Sequence, residues 1–110
     1  MSKLGSLEIA GASGTKYSFA VYSLDTSWNE VAAVYVVTKR TPKPGGGASH
    51  SFIYVGQTDN LKERHMNHHK AECFTKHGAN CLCVLVEERE ETRLRIEADL
   101  LKGNMWPCNG

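Results

Sequence analysis

SFIYVGQTDNLKERHMNHH, residues 51–69, reads as a short strand that turns through Gly-Gln-Thr-Asp straight into a basic helix. Phe52, Ile53, Tyr54 and Val55 are β-branched or aromatic and favour extended backbone. Gly56 permits a sharp turn or the close approach of another group. Asn60 followed by Glu63 makes a capping box, so the helix is expected to start at about Leu61. On that helix Leu61, Arg64, His65 and His68 share one face. A cation and imidazoles stand where an amphipathic helix carries its apolar stripe, which suggests a face turned to a cleft.

Outward from this stretch, the chain is 110 residues long and reads as one domain, able to bury roughly 60–70% of its unfolded surface. Its formal charge of +1 is too small to hold a polyanion, so any nucleic-acid affinity must come from a local patch. Cys73, Cys81, Cys83 and Cys108 show no CxxC spacing, the first residues lack signal-peptide character, and no window approaches a membrane span. The expectation is a cytoplasmic protein, away from the membrane, with free thiols.

Leu7-Glu8-Ile9 and Tyr17 to Tyr22 read as two short strands about the turn GASGT, a β-rich extension (residues 1–30) packed on a core of residues 31–110. Val31 to Thr38 is a continuous apolar run, as in a strand buried on both faces. Thr41 to Ser49, TPKPGGGAS, reads as a long irregular hairpin loop. Lys70 to Asn80 shows no period and reads as loop, and Cys81 to Val86 as another buried strand. A helix follows the acidic run Glu87 to Glu91 and ends at about Lys102, with Gly103 as its stop. Its inward stripe is read as Leu94, Ile96 or Ala98, and Leu101, with Glu97 in the middle of the apolar face. The order β–β–β–α–β–α plus a tail implies a small α+β domain.

Arg64 and Glu97 are thus charges on inward faces, and a buried charge must be paired or hold a metal. On spacing alone they form either a structural ion pair or part of a functional site. Tyr35 and Tyr54 read alone as core tyrosines. Cys81, Cys83 and His77, with Cys73 or Cys108, allow a zinc site, though alternate strand cysteines more often pack as small apolar side chains.

Ala33-Val34-Tyr35, Tyr54-Val55-Gly56, Arg64, Glu97 within IEADLL, and Pro107-Cys108-Asn109, taken in that order, resemble the GIY-YIG nuclease superfamily. The likeness covers Val31 to Asn109, and the run from Gln57 to Leu61 and the Arg64/His68 spacing add to it. Ala33 stands where glycine is usual, and Val34 and Val55 replace isoleucines. The resemblance implies a three-stranded antiparallel sheet flanked by helices, with strands near 31–38, 51–56 and 81–86. It implies hydrolysis of a nucleic-acid phosphodiester, DNA ahead of RNA, with one Mg²⁺ or Mn²⁺.

Such hydrolysis needs an activated water, counter-charge for the phosphorane oxygens and help for the leaving alkoxide. Glu97 suits a Mg²⁺ that keeps most of its waters, and Arg64 offers a planar fork to phosphate. By resemblance Tyr35 orients or deprotonates the water beside Tyr54, which requires a nearby cation to favour phenolate. His68 carries a proton or holds phosphate, and Asn109 fixes the site through the tail. Lys62, Arg64, His69, Lys70, Lys76 and His77 form either a phosphate-tracking rim or a solvated face. One site cuts one strand, so a double-strand break needs a weak homodimer or two visits. The other functions in view are an inactive nucleic-acid-binding module and a protein-interaction domain.

Overall fold

A computed structural model describes residues 3–66 and 70–109, the side chains of residues 65 and 66 apart. Its strands are β1 (Gly5–Ala10), β2 (Lys16–Ser23), β3 (Ala33–Pro42), β4 (Ala48–Thr58) and β5 (Cys81–Val86). Its helices are α1 (Leu61–Met66), α2 (Ala71–Lys76) and α3 (Glu90–Gly103).

The expected three-stranded sheet is corrected by the structure. All five strands join in one antiparallel sheet, ordered β1-β2-β5-β3-β4. The apolar runs of β3 and β5 lie side by side, Ala33 opposite Val86 and Thr38 opposite Cys81. With β3 on one side only, β5 would present an open apolar edge; β2 closes it by pairing Ala20 with Val84 and Ser23 with Cys81. The N-terminal strands are therefore part of the sheet rather than a layer laid on a three-stranded core.

Each face of the sheet carries its own core. Ile9, Phe19, Val21, Val34, Val36, Val55 and Cys83 pack with Ile96 and Leu100 of α3 and with Trp106. On the other face Ala33, Tyr35, Val37, Leu82 and Val84 pack with Leu61, Phe74 and Cys108, from α1, α2 and the tail. A β-bulge sorts β4 between them. Val37 pairs with Tyr54 but Thr38 with Phe52, so Ile53 is the extra residue. Phe52 then stacks on Trp106, at 5.1 Å between ring centroids, while Tyr54 lies on the face of Tyr35.

Four expectations for local structure change. The β3–β4 ladder runs on to Pro42 opposite Ala48, leaving only residues 43–47 as the turn. The segment read as loop after residue 70 contains α2. Gly103 lies within α3 rather than beyond it, and Asn104 is the C-cap. A Cβ on Gly103 would stand 2.6 Å from the Ala12 nitrogen, so the glycine is there to let α3 meet the β1–β2 turn. Lastly, Cys73 and Cys108 are joined as a disulfide, and only Cys81 and Cys83, both buried, are free. No helix among the described residues is long and apolar enough to cross a membrane.

Candidate active site

Tyr35 and Tyr54 reach one another because of the register. Tyr35 on β3 stands opposite Gly56 of β4, and Tyr54 lies diagonally beside it. A Cβ on Gly56 would meet the Tyr35 hydroxyl at 2.6 Å and the Tyr54 ring at 2.9 Å, so the bare glycine is the floor on which the phenols sit. Their ring centroids are 6.0 Å apart. Tyr35 is 2% exposed, whereas Tyr54 is half-buried.

Arg64 arrives on α1, which begins where expected. The Asn60 side-chain oxygen accepts the Glu63 backbone N–H at 3.1 Å, and the Leu61 N–H donates to the Val31 carbonyl at 2.8 Å. Glu97 arrives on α3, whose buried residues are Arg93, Ile96 and Leu100. Of the stripe expected from sequence, Ile96 is buried, but Leu94 and Leu101 are 46% and 39% exposed, and the residue before each is buried instead. Glu97 still faces inward, half-buried, on the flank of the true stripe.

β4 is the last strand of the sheet, and its outer edge is occupied by groups from the C-terminal part of the chain. The Val55 N–H donates to the Asn109 side-chain oxygen and the Asn109 amide donates back to the Val55 carbonyl, both at 2.9 Å. The Cys108 N–H donates to the Ile53 carbonyl. Two residues on, the Gln57 backbone N–H favours the charged form of the Glu97 carboxyl. Asn109 thus binds the β4 backbone beside Tyr54.

Electrostatics link each phenol to Arg64 and to Glu97. Burial pushes the Tyr35 phenol up, the Tyr54 and Glu97 charges add to this, and only Arg64 opposes. Tyr54 is also raised, first by burial, with Glu97 adding and Arg64 opposing. The hydrogen bond between the hydroxyls raises Tyr35 and lowers Tyr54, as when Tyr35 donates. The guanidinium therefore acts in the direction required for phenolate, but burial outweighs it, and both phenols are protonated at neutral pH. Desolvation also raises Glu97, with the Gln57 N–H opposing. Among the described residues no ion pair joins Arg64 to Glu97, so the structural-pair reading has no support in the geometry.

Of the rim, Lys62, Lys76 and His77 are exposed and Lys70 is partly so. His68 and His69 lie outside the described residues, as does the His65 side chain.

Sequence reading missed Arg93. It is 3% exposed, donates from Nε to the Gln57 side chain at 2.9 Å, and donates from one terminal nitrogen to the carbonyls of Glu87 and Glu88. It therefore ties the start of α3 to the β4 residue whose N–H favours the charged form of Glu97. Its place one turn before Glu97 was the available signal.

The zinc expectation divides. Cys73, His77 and Cys108 gather, with one ligand atom from each lying within 4.8 Å of the others, while Cys81 and Cys83 are buried in or beside the opposite core. Compared with protein-family models, curated proteins and solved structures, the chain matches none.

Proposed function

We propose that the protein is a metal-dependent endonuclease of the GIY-YIG type that hydrolyses nucleic-acid phosphodiesters, DNA ahead of RNA, in the cytosol. The observation that carries the reading is that Tyr35 and Tyr54 meet over Gly56 of β4, with Arg64 and Glu97, from two helices, each in electrostatic reach of both phenols. A core pair of tyrosines needs neither a guanidinium nor a carboxylate beside it.

Glu97 meets what Mg²⁺ or Mn²⁺ asks of such a site: one half-buried carboxylate, desolvated and not ion-paired with Arg64. The metal, held there with its waters, would supply positive charge to the oxygens that develop it. Arg64 binds the phosphate through its planar fork. Tyr35 and Tyr54, held as neutral phenols by burial, orient the attacking water or a phosphate oxygen by hydrogen bonds rather than removing a proton. Asn109 keeps β4 in the register that sets Tyr54 beside Tyr35. Lys62, Lys70, Lys76 and His77 follow the backbone charge, giving shape and charge recognition without base reading.

Incubating purified protein with supercoiled DNA and Mg²⁺ or Mn²⁺ tests this. Nicking is expected, with Arg64→Ala and Glu97→Gln each reducing the rate by roughly 10²-fold or more; undiminished nicking by both variants refutes the roles. The raised phenols favour one second reading, a nucleic-acid-binding module without turnover. Salt-dependent binding with no metal-dependent cleavage would select it.

A further inference from the structure

We propose that Cys73, His77 and Cys108 are a zinc-binding site in the reduced protein, and that the disulfide and the zinc ion are alternative closures of one clasp holding the tail. Cys73 and His77 lie four residues apart along and just beyond α2, which sets them on one side of it, and the His77 N–H donates to the Cys73 carbonyl at 3.1 Å. Cys108 comes from the tail, placed by its own N–H on Ile53 and by the neighbouring Asn109 clasp on Val55. A disulfide needs only the two sulfurs. Here an imidazole nitrogen stands within 4.8 Å of both, a donor set of the kind zinc takes.

The chemistry balances as follows. Two equivalents of a thiol reductant break the Cys73–Cys108 bond, leaving two protein thiols and one oxidised reductant disulfide. Zn²⁺ then displaces both thiol protons and binds two thiolates and the neutral His77 imidazole. In a tetrahedral site the sulfurs stand ~3.8 Å apart, given Zn–S bonds of ~2.3 Å. That separation lies inside the 4.8 Å within which the three ligand atoms already gather. His77 is exposed, so the fourth position opens to water. Either closure fixes Cys108 and hence Asn109 on β4, so the tail stays docked in oxidising and reducing surroundings alike.

The 110-residue chain, reduced with a phosphine and desalted without oxygen, is titrated with Zn²⁺ against a chromophoric chelator, and in parallel with Co²⁺. The expected result is one zinc per chain and a tetrahedral cobalt spectrum with thiolate charge-transfer bands. Oxidised protein takes up none. His77→Ala, at an exposed position that leaves the disulfide able to form, weakens uptake at least ten-fold; Cys108→Ser abolishes it, and Cys83→Ser leaves it unchanged. Uptake below one equivalent, or uptake indifferent to His77→Ala or dependent on Cys83, overturns the proposal. The readout is metal content, so it does not depend on nuclease activity.

Discussion

At Gly56 the absence of a side chain is itself the structural element. The Tyr35 hydroxyl occupies the volume a Cβ would take, with both phenol rings packed around it. Gly56→Ala is expected to push the phenols apart, costing about 1–3 kcal/mol by thermal unfolding and most of any cleavage activity. At Glu97 the sign of the pH effect follows from burial, which raises the folded-state pKa above that of the unfolded chain. Between those two values the folded protein binds more protons, so stability from this group falls as pH rises through that window. Melting temperature followed against pH should show that decline in the wild type and lose it in Glu97→Gln. Cleavage should rise over the same window, because only the carboxylate serves a cation. Arg64 and Glu97 were legible as inward charges. Their lack of a mutual ion pair was not, since helix periodicity gives a face and not a partner.

For the elements, α3 shows the limit of periodicity. Two stripes compete on it, Leu94/Ala98/Leu101 and Arg93/Ile96/Leu100, and the fully apolar one is the exposed one. Arg93 is buried because Gln57 and two carbonyls satisfy its guanidinium, a solution the sequence does not display. The phase can be checked directly: Leu100→Ala should cost roughly 2–5 kcal/mol of unfolding free energy, and Leu94→Ala no more than ~0.5 kcal/mol. α2 escaped notice because its six residues are too few to show a period. The β3–β4 arm continues through Pro42 because a two-stranded hairpin lets the proline nitrogen face outward. By contrast, β3, β5 and the start of α1 were readable, because unbroken apolar runs and a capping residue are local signals.

Across the whole molecule, the N-terminal strands and the C-terminal tail finish opposite parts of the sheet. Both N-terminal strands were legible, but their pairing was not, because strand order is set by which edge needs covering. Ile9, Phe19 and Val21 belong to the core around α3, so deleting residues 1–30 should abolish cooperative unfolding and cause aggregation, read by circular dichroism and sedimentation. The Cys73–Cys108 bridge closes a loop with a sequence separation of 35, and reducing it in metal-free protein should lower stability by about 3–4 kcal/mol in denaturant titrations. The tail that grips Val55 also has a consequence in time. Asn109 follows each described strand and helix in the chain, so a nascent polypeptide holds both phenols, the guanidinium and the acid before it holds the residue that clamps them. The order of synthesis thus gives the proposed cleavage centre its clamp only after its four side chains.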